Sequence, residues 1–177
     1  MPLTPLHVFP AIPVYLLFYR RLSGLAFLLG TTLIDLEPIL YTFFGVSFPQ
    51  VPLLLGGFAR QGLHTITHNP FSIILLVAPA TVVMTKLAEL AGRGILTELF
   101  PGIEWISYSW THTYLSAVFG AFLHLSWDLT MHADVNLGFP LINFQNPFIN
   151  YQTSITILQV SLVMIPVAYL IGRRINA

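Results

Sequence analysis

Apolar residues run along this chain in five long blocks, separated by short polar or Gly/Pro-rich breaks. Blocks of this length predict helices, over 5–20, 24–46, 66–86, 108–131 and 154–172. The first is short: about 15 helical residues span about 22 Å before Arg20-Arg21 ends it. Ser23-Gly24 predicts a tight turn into the second, which carries Asp35 and Glu37 within it. A loop rich in Pro and Gly follows, from Ser47 to Gly62. The third block has Pro70 in its first turn and Pro79 as an expected kink. Lys86 to Trp105 is mixed in polarity and broken by Gly92, Gly94 and Pro101-Gly102, so it reads as an interfacial connection. An aromatic loop rich in Gly, Pro and Asn, from Asn136 to Tyr151, precedes the fifth helix, which runs to Arg173-Arg174. No internal repeat is present.

Composition turns this pattern into a solvent assignment. Of the 177 residues, 55% are hydrophobic and 8% charged, against about 25% charged in an ordinary soluble domain. So few charges cannot cover a water-facing surface. The fold class expected is all-α: one polytopic membrane bundle, 1–177, of about five transmembrane helices with membrane lipids as its surroundings. Zero net charge and no basic run argue against a nucleic-acid partner. The absence of cysteine excludes disulfides, thiol catalysis and thiolate metal sites. The N-terminus lacks a basic region and a small-residue cleavage site, so the first block is expected to be retained rather than cleaved as a signal peptide.

With five alternating spans, Arg20-Arg21, Lys86, Arg93 and Arg173-Arg174 fall on one side, six of the seven basic residues. That side is expected to be cytoplasmic, C-terminus included, in a plasma or inner membrane. The opposite side receives His7, Asp35, Glu37, His64, His68, His124, Asp128, His132 and Asp134. An ionisable group near a bilayer centre costs at least about 2.5 kcal/mol, so such residues are usually paired, ligated or functional. In the helical reading His64 and His68 are i, i+4 on one face, and His124, Asp128 and His132 form one stripe. Imidazoles with carboxylates are donors for a divalent metal, Zn first, Mn or Fe next, bound as one or two ions. Asp35 and Glu37, at i, i+2, would point apart on a regular helix, which suggests a ligand and a general base; Pro38 disturbs the ladder between them. His112, one turn inside the other end of its helix, reads as structural or interfacial. Arg60 is a candidate anion anchor. His132, Asp134 and Thr67 are candidates to support the ligands.

The segments Thr4-Pro5-Leu6-His7, Gly30 to Glu37, His64 to Asn69 and His124 to Asp128 occur in this order. In them the chain resembles the membrane-bound metal-dependent hydrolases of the YdjM-like group. That family is more distantly similar to the zinc-dependent phospholipase C and nuclease superfamily. The resemblance covers roughly Thr4 to Pro140. It implies metal ligation by His7, Asp35, Glu37, His64, His68, His124 and Asp128. Ile34 stands where the family has Pro, Glu37 for a second Asp, Thr65 for Arg and Asn69 for Ser. Loss of that Arg removes the family's phosphate anchor.

The function expected is metal-dependent hydrolysis at the outer membrane surface. Activated water would attack a phosphoester, or another ester, of an amphiphilic substrate, a lipid phosphate first. Glu37 and Asp35 are the candidate catalytic residues, with Glu37 as base or bridging ligand. Seven candidate ligands exceed the three of a mononuclear catalytic site and favour two ions. Phe139, Phe144, Phe148 and Tyr151 are candidates to contact acyl chains. A metal-ion or proton transporter is the first alternative, disfavoured by the nearly apolar opposite half. A non-catalytic membrane subunit with a structural metal site is the second.

Overall fold

The computed structural model describes residues 8–46, 50–59, 64–99 and 107–175. Helices are the regular elements among them, in the order α1 (Ala11–Phe18), α2 (Gly24–Leu33), α3 (Leu36–Phe44), α4 (Pro70–Ser72), a π-helical stretch (Ile73–Val77), α5 (Ala78–Leu99), α6 (Trp110–Asp128) and α7 (Tyr151–Ile175). The loops hold two isolated antiparallel bridges, Pro52 with Phe58 and Asn136 with Gln145. The chain is all-α, as its apolar blocks predict.

Among the described residues, the five predicted crossings reduce to two candidates, or three. Pro70–Gly92 and Tyr151–Ile175 are long and apolar enough to cross a membrane, and α2 with α3 makes a third if the bent pair is one span. Within the block at 5–20 the described residues form the eight-residue helix α1, about 12 Å long. The block at 24–46 breaks at Ile34-Asp35, where the two helices meet at 56°. Pro38 does not kink a running helix. It is the third residue of α3, where a missing N–H costs no intrahelical bond. Gly45 ends α3 at φ +64°, a left-handed conformation that a side chain would strain. The block at 108–131 gives α6, whose fifteenth to nineteenth residues include His124, Ser126 and Asp128. One face of that helix is buried against its neighbours, while Leu115 and Phe119 are exposed.

Two further boundaries differ from expectation. Helix begins at Pro70, not at His64 or 66, because Asn69 caps it by accepting from Ser72 N–H at 2.9 Å. At the other end the Lys86 connection continues α5 as helix to Leu99. The π-helical turn precedes Pro79 and widens the helix where the proline ring would otherwise meet the Leu75 carbonyl.

α6 lies at the centre, packed along α2 and against α5. Gly30 of α2 sits on the Ala117 carbonyl and Gly120 of α6 on the Phe27 carbonyl, so a Cβ at either position would collide with backbone. Small residues let these two helices approach as transmembrane helices do. α7 is built inside out by soluble standards. Ser154, Ser161, Ala168 and Gly172 face the protein, while Val163 and Leu170 are 69% and 62% exposed. Leu75, Leu87 and Leu90 point outward from the Pro70–Gly92 helix in the same way. A continuous apolar exterior of this kind requires lipid or another apolar cover.

The helix directions collect one end. α4 starts, α6 finishes and α7 starts there, the last two tied by Trp127 Nε1 donating to Ser154 Oγ at 2.7 Å. Lys86 donates to the Tyr108 carbonyl at 2.6 Å near the start of α6, and Arg173 and Arg174 close α7. Those basic residues therefore lie away from the end that collects His68, His124 and Asp128.

Candidate metal centre

The break between α2 and α3 leaves Asp35 with a turn-like backbone (φ −80°, ψ 9°) and no capping bond from its side chain. Its carboxylate turns instead to the histidines. His68 precedes α4, and His124 and Asp128 occupy one face in the last turns of α6. His68 Nε2 lies 3.1 Å from Asp35 Oδ1 and 3.0 Å from Asp128 Oδ2. His124 Nε2 lies 3.3 Å from Asp35 Oδ1 and 3.0 Å from Asp128 Oδ2. The two imidazoles and two carboxylates thus alternate around one point, each presenting one donor atom, all within 4.8 Å of one another. Ligands 2.0–2.1 Å from a tetrahedral ion stand about 3.3 Å apart, close to the four edges observed.

Charge makes the same point. Two carboxylates with two neutral imidazoles carry −2, which one divalent cation balances. Without a cation the imidazoles must take up protons, because buried carboxylates need opposite charge. The side chains of His68, His124 and Asp128 are 0% exposed and that of Asp35 is 3% exposed. Burial pulls the His68 imidazole down, but its bonds to Asp128 and Asp35 outweigh this and hold it above the ordinary histidine value. Thr67 Oγ1 stands 3.0 Å from His68 Nδ1 and orients the ring. Ile34, Ile73, Val77, Ala121, Leu125 and Val135 form an apolar cluster carried by the same elements. This buried Asp/His group can hold a metal ion.

His64 does not share a helical face with His68, because residues 64–69 are not helical. The segment is pinned from α3 instead. Glu37 Oε2 accepts from the Ile66 and Thr67 amides at 2.8 and 3.2 Å, and Thr67 Oγ1 stands 3.4 Å away. Glu37, expected as base or ligand, lies outside this donor group. Its buried Oε1 has no hydrogen-bond partner among the described residues. With one oxygen on two amides, it positions the segment that carries both histidines. His64 turns to a second group, its Nδ1 3.0 Å from Asp134 Oδ2 and its ring stacked on His132 at 4.0 Å.

The predicted stripe also stops at Asp128, where α6 ends. His132 follows in a turn, its Nε2 4.0 Å from Asp128 Oδ1. The residues that build this turn escape a reading by type. Asn146 Nδ2 donates to the Leu129 and His132 carbonyls at 2.7 and 2.8 Å, and Asn136 Oδ1 accepts from Gly138 and Phe144 amides. Asparagine density marks this loop in the sequence but not which carbonyl each amide will find. Phe139 is buried with Leu53 and Ala59, while Phe144, Phe148 and Tyr151 are exposed. His112 stacks on Tyr108 at 4.6 Å, in keeping with a structural role. His7 and Arg60 lie outside the described residues.

Compared with protein-family models, curated proteins and solved structures, the chain shows no significant match.

Proposed function

We propose that this chain is a membrane-embedded, metal-dependent hydrolase that acts at the membrane surface on a phosphoester, or another ester, of an amphiphilic substrate. The observation that carries the reading is the buried group of two aspartates and two histidines, gathered from three parts of the chain at one end of the helices. Asp35, His68, His124 and Asp128 would hold the ion. A bound divalent ion would supply Lewis acidity and make water acidic enough to react near neutral pH. Glu37 and Thr67 keep His68 in place for that ion. The resemblance to the YdjM-like hydrolases points the same way, and Zn is the metal that suits the donor set first.

The surroundings suit an amphiphile. Loop 50–59 bonds to the loop after Asp134, with Leu54 and Leu55 amides donating to the Pro140 and Leu141 carbonyls at 2.9 and 3.1 Å. Leu54 and Leu55 at its tip are each 74% exposed, and Phe148 is 60% exposed. These side chains offer an apolar rim at the end that carries the donors. The basic residues of α5 and α7 lie toward the opposite end, which favours an extracytoplasmic metal centre and a cytoplasmic C-terminus.

A second reading has an observation of its own. The four donors are closed off from solvent, and a closed four-ligand site is the usual form of a structural metal. The test is metal content by elemental analysis of the full chain in detergent, for the wild type, His68→Ala and His124→Ala. Chelator-controlled turnover on lipid phosphates, phosphodiesters and carboxylic esters is measured alongside. Bound metal lost in both variants, with chelator-sensitive turnover, supports the hydrolase. Metal without turnover on any class supports the structural reading. A metal-free wild type overturns both.

A further inference from the structure

The donor atoms fall into two groups of opposite character. Asp35, His68, His124 and Asp128 use four side chains and are sealed. His64, His132 and Asp134 use three, their donor atoms also within 4.8 Å of one another. Their side chains open progressively toward solvent, 3% exposed at His64, 12% at His132 and 35% at Asp134. Three protein ligands beside an opening are the pattern of a reactive metal site, and four closed ligands that of a structural one.

Asp128 joins the two groups. Its Oδ2 lies 3.0 Å from both His68 Nε2 and His124 Nε2, while its Oδ1 faces His132 Nε2 at 4.0 Å. His64 and His68, at either end of the segment that Glu37 pins, put their rings in edge contact at 4.6 Å, one in each group. The groups are adjacent, with the Asp128 carboxylate between them, an arrangement that suits two cations held side by side.

We propose that His64, His132 and Asp134 form a second, solvent-open divalent-cation site, and that this site, not the sealed one, receives the substrate's anionic group. The inference rests on the metal-binding reading above and divides the labour within it. The sealed ion holds α6, the α2–α3 break and the 64–69 segment together. The open ion keeps coordination positions for an oxyanion, with Asp128 between them. His132 and Asp134 thereby become ligands, although the resemblance assigns ligand roles to neither.

The experiment uses the full chain in detergent, loaded with Zn²⁺ and dialysed, then analysed for metal per chain. The variants are Asp134→Asn, which keeps the side-chain shape, and His132→Ala, with helix content checked by circular dichroism. Two ions in the wild type, and one in each variant with unchanged helix content, are expected. A parallel Co²⁺-loaded sample is titrated with inorganic phosphate. Its visible absorption should shift in the wild type and at least tenfold less in Asp134→Asn. One ion in the wild type and one in Asp134→Asn would overturn the second site while leaving the sealed site standing. Loss of both ions in a folded Asp134→Asn would make the two groups a single site and also overturn it. A phosphate response that survives in Asp134→Asn would move the open position elsewhere. A wild type without metal would remove this inference together with the reading it rests on.

Discussion

Asp128→Asn tests the metal centre at the residue that both histidines of the sealed group share. The substitution keeps the side-chain outline and removes the charge. Oδ2 of Asp128 stands 3.0 Å from the Nε2 atoms of His68 and His124, in a place with no access to solvent. Asn lacks the negative charge that an ion among the four donors would meet, so metal affinity should fall by at least the about 10–100-fold, or about 1.4–2.8 kcal/mol, that follows loss of even a ligand's supporting partner. The metal-free protein suffers as well, since breaking a buried ion pair costs about 3–5 kcal/mol. The assay is competition for Zn²⁺ against a chromogenic chelator in detergent, with thermal unfolding measured with and without metal. A Kd within threefold of the wild type, in a variant of unchanged helix content, would refute the assignment of these four side chains as the metal's ligands.

Three other outcomes are expected. Glu37→Gln removes the charge that the Ile66 and Thr67 amides donate to. Metal affinity should fall about 10–100-fold, as when a ligand's support is lost, with a lower unfolding temperature; lost turnover at unchanged affinity and stability would instead make Glu37 the base. Gly120→Val drives a side chain into the Phe27 carbonyl and should cost about 1–3 kcal/mol or more of stability, read by thermal unfolding in detergent; an unshifted transition would contradict the α2–α6 approach. Metal affinity should rise with pH. Protonated His68, held above its ordinary value, stabilises the metal-free centre below about pH 6.5, and that contribution fades as pH rises through the raised value. Metal needs the deprotonated ring, so acid should release the ion; metal retention equal at pH 5 and pH 8 would contradict ligation by His68.

Much of this centre was legible in the residues alone. Scarcity of charge determined that the chain has an apolar exterior, because too few ionised groups exist to cover a water-facing surface. The same scarcity singled out nine ionisable residues, Asp35, His68, His124 and Asp128 among them, since an ionisable side chain among apolar neighbours requires a partner. The spacing of His124 and Asp128 stood for real proximity because both lie within the regular part of α6. Spacing failed where the helix did. Asn69 and Pro70 start α4 after His68, so His64 and His68 diverge into different groups, and the end of α6 at Asp128 sends His132 into a turn. Apolar length also overstated the crossings, because periodicity cannot separate a straight span from two helices broken at Asp35. The sequence by itself determined the apolar exterior, the all-helical class and the kinds of donor. Only the tertiary structure decided which donors meet, that Glu37 holds backbone amides, and that Asp128 lies between the sealed group and His132. The physical reason is that hydrophobic pattern is local along the chain. Convergence of side chains depends on helix breaks, caps and loop hydrogen bonds that become definite only once the helices have packed.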